Sequence, residues 1–403
     1  MNYTYQRLKP LSDLRGRLEK GPNLVQVIMG PRQVGKTTAI RQFLDTAGTP
    51  FIYDTADLLS PPSTSWIEEK WNEARMRAQI NDRVILVLDE VQKVTRWSEA
   101  VKKFHDEDVH NGIHVRVVIL GSSALMVQKG LKESLAGRFE IIPFSHWTFQ
   151  ECKNAFGISL DEYIFFGGYP GALAIYKEDK DELRWQQYVR DTLIETVIGK
   201  DILQLTSIDK PALLRQVFNL ACAHPAEILS YTKMLGQLQD AGNTTTIATY
   251  LNVMSAAGLL VAISRYSGSM IRQRASIPKI VLLNNALINA AMTREFGYAK
   301  SKPELWGRLI ENTVGAHLYN QLHNRGIEIF YWRDRDDEID FVVKKGEKII
   351  GVEVKSGRQK YGRGVDLFIK RFDGVSVLKV GGANCDVGIS DFLLSDPVKW
   401  IKL

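Results

Sequence analysis

The run Gly30-Pro31-Arg32-Gln33-Val34-Gly35-Lys36-Thr37 constrains this chain more than any other segment of comparable length. It fits G-x-x-x-x-G-K-[ST], follows the apolar run Leu24 to Met29 directly, and precedes the helix-compatible stretch Thr38 to Asp45. Glycines in such a loop let the backbone curl until its N–H groups point inward, and the next helix adds its positive end. The segment therefore predicts a cradle for phosphate oxygens, lined by Gly30, Pro31, Arg32, Gln33, Val34, Gly35, Lys36, Thr37 and Thr38. Lys36 is expected at the β- and γ-phosphates of a nucleoside triphosphate, and the Thr37 hydroxyl on its Mg²⁺.

The surrounding pattern is that of a layered α/β fold. Leu24 to Met29, Phe51 to Tyr53, Val84 to Leu88, Val115 to Leu120 and Phe139 to Ile142 are short, nearly all apolar and separated by polar, helix-like stretches. Strands of that kind are buried on both faces, which predicts a parallel, doubly wound sheet covered by right-handed crossover helices. Val84 to Leu88 ends in Asp89-Glu90, two carboxylates at the mouth of a buried strand. Asp89 is expected in the Mg²⁺ shell, and Glu90 as the group that orients and deprotonates an attacking water. Ser122, in Gly121-Ser122-Ser123-Ala124 after the next strand, reads either as a contact to the γ-phosphate or as a helix cap. Arg138, just before Phe139, reads either as an arginine finger acting from a neighbouring subunit or as a structurally paired surface arginine.

At these residues the chain resembles the AAA+ ATPases. The phosphate loop, the Asp-Glu strand, the polar-tipped strand and the arginine occur in the AAA+ order over roughly residues 1–200. GPRQVGKTT, LVLDEVQKV, LGSSA, LAGRFEIIPF and GGYPGAL together resemble a prokaryotic branch of that family whose C-terminal region ends in a nuclease-like fold. The resemblance implies ATP and Mg²⁺ as ligands, hydrolysis of ATP and assembly into a homo-oligomer. It also implies a P-loop core over 1–145 and a helical lid or connector over 146–205, followed by further domains.

Beyond Lys210 the hydrophobic pattern changes. Pro211 to Ala221, Ser230 to Leu238 and Thr244 to Ala257 read as helices, and Leu259 to Ile263 as a strand with Met270 to Arg274 as its partner. This is a winged-helix pattern over 206–285. Thr244, Thr245, Thr246, Thr249, Tyr250 and Asn252 are its candidate base contacts, and Arg265, Arg272 and Arg274 its candidate phosphate contacts. In 286–403, Asp340 opens the run Phe341 to Val343, Gly346 turns the chain, and Ile349 to Lys355 returns. Strand alternation puts Glu353 and Lys355 on one face, so the D-x12-E-x-K pattern resembles the restriction-endonuclease-like fold. Asp340 and Glu353 are candidate ligands of a second Mg²⁺, with Glu311 at the start of a helix as a third acid and Lys355 steering a water or neutralising phosphate charge.

Composition bounds the rest. With 403 residues, 45% hydrophobic and 24% charged, the chain has ample material for a core. No apolar run approaches the ~20 residues that span a bilayer. Cys152, Cys222 and Cys385 are scattered, which points to a reducing cytoplasm rather than a disulfide framework. A net charge of +6 permits a polyanionic partner such as DNA without demanding one. The leading expectation is an Mg²⁺-dependent ATPase acting on DNA. The alternatives are an ATP-controlled endonuclease built on Asp340, Glu353 and Lys355, and a nucleotide-switched protein scaffold.

Overall fold

Short β-branched runs cannot satisfy their backbone alone, and here five of them pair into one parallel sheet in the order β2-β3-β4-β1-β5. These strands are β1 (Val25–Met29), β2 (Phe51–Thr55), β3 (Val84–Asp89), β4 (Val115–Leu120) and β5 (Phe139–Pro143). The structure, a computed structural model, describes residues 5, 7–58, 63–121, 131, 134–203, 208–239, 242–268, 276–355 and 363–402. The chain separates into two compact units, Met1–Ser145 and His146–Leu403.

In the first unit, β3 is buried at every position, as a central strand covered on both faces must be. Helices α3 (Thr64–Asn81) and α4 (Trp97–Asn111) set Trp66, Ile67, Trp71, Trp97, Val101 and Phe104 against Val84, Leu86 and Leu88. The alternate residue Ile85 faces the other way. It lines a small pocket with Leu18 of α1 (Leu8–Lys20) and Phe43 of α2 (Lys36–Thr46). Right-handed crossovers of this kind bring every loop after a strand to one edge of the sheet, which is where the functional residues collect.

The second unit begins with helices whose starts are written in the sequence. Thr148 with Glu151 and Ser159 with Glu162 form capping boxes, and Pro170, Pro211 and Pro303 stand at first helical turns. Helices Pro211–Ala223, Tyr231–Leu235 and Thr244–Ala256 accompany a three-stranded antiparallel sheet of β6 (Glu227–Ile228), β7 (Leu260–Ile263) and β8 (Lys279–Leu282) in the order β6-β8-β7. The strand expected over Met270 to Arg274, with Arg272 and Arg274, lies outside the described residues; the described partner of β7 is β8, with Ile263 opposite Lys279. Tyr250 corrects a further expectation. It is buried, and its hydroxyl donates to the Lys210 carbonyl, whereas Thr244, Thr245, Thr249 and Asn252 are exposed.

A second five-stranded sheet closes the unit: β9 (Glu328–Asp334), β10 (Asp337–Lys345), β11 (Lys348–Lys355), β12 (Ser376–Gly381) and β13 (Val387–Gly388), in that spatial order. The β9-β10-β11 part is antiparallel and β11-β12-β13 is parallel. The helix Pro303–Leu322 contributes Val314, Ala316, Leu318 and Leu322 to the core beside this sheet. Glu311 lies in the middle of that helix rather than at its start. Among the described residues no helix is long and apolar enough to cross a membrane.

Candidate active site

The phosphate loop leaves the end of β1 and enters α2 under tight steric control. A Cβ on Gly30 would lie 1.8 Å from the Phe144 carbonyl oxygen, because the chain leaving β5 is tied there by the Phe144 N–H to the Met29 carbonyl. Gly35 turns the loop into the helix at φ +82°, a region that glycine enters without steric cost. Val34 is buried, Arg32 half-buried and Gln33 exposed at φ +60°, while Thr38 is exposed on the first turn of α2. Lys36 is buried and donates to the carbonyls of Gly30 at 3.0 Å and Pro31 at 2.7 Å. Its ammonium is thus gathered under the loop, where an arriving phosphate would offer it stronger, charged acceptors.

The acidic strand meets this loop directly. Thr37 Oγ1 donates to Asp89 Oδ2 at 3.0 Å, and the Tyr53 hydroxyl donates to the same oxygen at 2.6 Å. Asp89 Oδ1 accepts from the Glu90 N–H at 2.9 Å, so the buried carboxylate is held from three directions. Burial and the Asp89 carboxylate push the Tyr53 hydroxyl up to about 12, so it remains a donor at neutral pH. A hydroxyl and a carboxylate oxygen set together are hard ligands of the kind Mg²⁺ takes beside a nucleotide, and this donor set fits that ion. Glu90 occupies the left-handed region at φ +54°, a conformation costing a non-glycine residue ~1 kcal/mol or more. Its Oε2 accepts from Gln92 Nε2 at 2.5 Å. Ser122 lies outside the described residues.

Family comparison agrees with this geometry. Residues 22–153 match the model described as an AAA domain. The match takes in all five strands of the first sheet. Residues 158–296 and 306–384 match two further models, each described only as a domain of unknown function. An uncharacterised protein of Mycobacterium tuberculosis is 24% identical over 351 residues, covering 87% of this chain and 74% of its own length. One of Methanocaldococcus jannaschii is 24% identical over 341 residues, covering 80% and 72%. Among solved structures, the ORC2 protein of Aeropyrum pernix is similar at 12% identity with a TM-score of 0.44, over 73% of this chain and 93% of its own.

Within the first unit, Arg138 sits far from the loop of its own chain. It precedes β5, whose Phe139 pairs with Val25 at the start of β1, and the Val25 N–H donates to the Arg138 carbonyl. The phosphate loop follows the other end of β1, so Arg138 and Lys36 occupy opposite edges of the sheet. Its guanidinium is partly exposed and pairs with Asp106 of α4 at 2.5 Å. Sequence reasoning missed Tyr53 and Gln92. Tyr53 reaches Asp89 only because β2 and β3 are neighbours, an adjacency no local pattern encodes. Gln92, two residues after Glu90, was visible in the DEVQK run as a polar side chain near the acidic pair.

The second expected constellation also converges, within the C-terminal sheet. Asp340 lies at a bulge in β10, and its Oδ2 accepts from the Val354 N–H at 2.7 Å, while Lys355 Nζ donates to Glu353 Oε1 at 2.6 Å. Carboxylate oxygens of Glu311, Glu338 and Asp340 lie within 4.8 Å of one another. Into their midst comes Lys279, the first residue of β8, with no exposed surface. Its Nζ is 2.6 Å from Glu311 Oε1, 2.8 Å from Glu338 Oε1 and 3.8 Å from Asp340 Oδ1. Burial opposes the charge of this lysine, but Glu311, Asp340 and Glu338 outweigh it and hold the ammonium protonated. Burial, reinforced by Glu311, pushes Asp340 well above the usual carboxylate range, and burial likewise raises Glu353. A divalent ion placed among Glu311, Glu338 and Asp340 would stand against an ammonium already there, so these residues as arranged do not fit one.

Proposed function

We propose that the chain is an Mg²⁺-dependent ATPase whose AAA domain binds and hydrolyses ATP and whose second unit carries the effect to DNA. The observation that carries this reading is the joining of the phosphate loop to the acidic strand by Thr37 and Asp89. Lys36 exchanges its loop carbonyls for β- and γ-phosphate oxygens, and the loop N–H groups cradle the rest of the triphosphate. Thr37 and Asp89 would hold Mg²⁺, which when bound neutralises phosphate charge. Glu90 orients a water and takes its proton, with Gln92 positioning the carboxylate.

Arg138 serves a neighbouring chain in this reading, because its place at the far end of β1 and β5 keeps it from its own loop. That implies a homo-oligomer in which the Asp106 pair opens on assembly. In the second unit, three helices and an antiparallel ribbon support a winged helix. Exposed Thr244, Thr245, Thr249 and Asn252 face outward on one helix, and exposed Arg265 stands at the end of β7. These side chains suit base edges and phosphates respectively.

The deciding experiment measures ATP turnover by the wild-type chain and by Glu90→Gln, each with and without single-stranded, double-stranded and branched DNA. Turnover lost in the variant and stimulated by DNA in the wild type is the expected result. Equal turnover in both proteins overturns the role of Glu90, and DNA-independent turnover with no DNA shift at low salt overturns the DNA partner.

A further inference from the structure

We propose that Lys279 is the resident cation of the carboxylate cluster around Asp340, standing where a D…E-x-K site would hold a divalent ion, so that this region takes up no metal and acts as a joint between two sheets. The inference is independent of the ATP site.

The placement of Lys279 is built into the backbone. Just beyond β7, the Tyr331 N–H donates to the Ser264 carbonyl at 3.1 Å and the Tyr266 N–H to the Tyr331 carbonyl at 2.6 Å. The Tyr331 hydroxyl donates to the Ile277 carbonyl at 2.5 Å, two residues before Lys279. The three-stranded sheet is thereby stitched to β9, and β8 enters beside β10 with its first side chain aimed between the sheets. The Lys279 ammonium meets Glu311 and Glu338, and donates at 3.2 Å to the Asp340 carbonyl, while its edge lies over the Phe341 ring. The ammonium donates to Glu338 Oε1 and to the Asp340 carbonyl, and Glu311 Oε1 faces its charge at 2.6 Å.

Several other oxygens of the cluster have partners of their own. Arg308 lies 3.4 Å from Glu311 Oε2, Val354 N–H satisfies Asp340 Oδ2, and Lys355 satisfies Glu353 Oε1. Among the described buried side-chain oxygens of this group, Glu311 Oε1 and Glu353 Oε2 lack a hydrogen-bond partner, and the first of them stands 2.6 Å from the Lys279 ammonium. Two such oxygens, one of them already facing an ammonium, fall far short of the six or so that Mg²⁺ or Ca²⁺ gathers. Lys279, Arg308 and Lys355 against Glu311, Glu338, Asp340 and Glu353 leave little net charge to attract a further divalent cation.

Mn²⁺ uptake by the full chain without nucleotide, followed by the electron paramagnetic resonance of the free ion, tests the proposal. Wild type and Glu353→Gln are expected to take up Mn²⁺ equally, because the cluster contributes no site. Lys279→Met, with its carboxylates uncovered, is expected to bind Mn²⁺ ~10-fold tighter or better and to gain melting temperature on its addition. Lys279→Arg, which keeps the charge, should fold and remain without the site. A wild-type site that persists in Asp89→Asn but disappears in Glu353→Gln overturns the proposal. So does Mn²⁺-dependent nicking of supercoiled plasmid by the wild type that Glu353→Gln abolishes, and so does a folded Lys279→Met that binds no more Mn²⁺ than wild type. Should Lys279→Met fail to fold, the comparison of wild type with Glu353→Gln and Asp89→Asn decides alone.

Discussion

Thr37 Oγ1 and Asp89 Oδ2 lie 3.0 Å apart, joining the first turn of α2 to the tip of β3. The two strands that carry these residues into place, β1 and β3, are not neighbours, since β4 runs between them. The contact therefore reports the shape of the whole sheet edge, and in the proposed function it is the point at which nucleotide binding and water activation would be brought together.

Separating binding from chemistry is the first consequence. Lys36→Ala removes the buried ammonium held under the loop, and is expected to abolish ATP binding measured by titration of a fluorescent nucleotide. Glu90→Gln keeps the shape of the side chain, and should bind ATP normally while turning it over ~10²–10⁴-fold more slowly. Loss of binding in Glu90→Gln would place that residue in a structural role instead.

Gly30 provides a steric test. Alanine there drives a Cβ to 1.8 Å from the Phe144 carbonyl, and relief requires moving either the loop or the chain after β5. Gly30→Ala is expected to cost ~3 kcal/mol or more of stability and to weaken nucleotide binding. Thermal melting checks it, and an unchanged melting temperature would mean the two chain segments are not held together.

Arg138 should matter to activity and hardly at all to folding. Its ion pair with Asp106 is partly solvated, so Arg138→Ala is expected to leave the melting temperature nearly unchanged. ATP affinity of the isolated chain should not change. Mixed with wild type, the variant should lower specific activity below simple dilution; activity that follows dilution alone argues against action across a subunit boundary.

His317 predicts how the second unit responds to acid. Burial lowers its imidazole from 6.5 to about 4, with Nε2 against the Ser395 carbonyl at 3.1 Å. Because the folded-state value is depressed, the unfolded chain takes up a proton that the folded chain refuses as pH falls between these values. The stability is fully present above about 6.5, is lost progressively down to about 4, and changes no further below it. The total is about 3 kcal/mol. In His317→Gln the fall of melting temperature across this interval should flatten, and an unaltered slope would reject the assignment.

Much of the ATP site was legible because its chemistry is local. The phosphate loop, the Asp89-Glu90 pair and the hairpin carrying Asp340, Glu353 and Lys355 each lie within short runs whose hydrophobic period and turn residues announce strand, loop or helix. What stayed hidden came from segments that meet only in the fold. Tyr53 touches Asp89 through strand adjacency, and Tyr250 turns inward because its helix packs Ile247, Leu251 and Met254 on the same side. No local pattern marks two buried asparagines, yet Asn285 donates to Ile164, Leu309 and Thr313, and Asn312 to Leu282 and Asn285. Buried amides of this kind are specified by partners far away in the chain.

The sequence by itself determined which short segments would be apolar strands, where the backbone needed glycine, and which side chains stood ready for phosphate and cation. These are matters of near neighbours and backbone geometry. Tertiary structure alone decided that β4 separates the two halves of the ATP site, that Arg138 lies on the edge away from its own phosphate loop, and that a lysine of β8 fills the acidic cluster of β10. Those outcomes depend on which strands pair and which sheets abut, and such choices are made by the burial of whole faces rather than by any local run of residues.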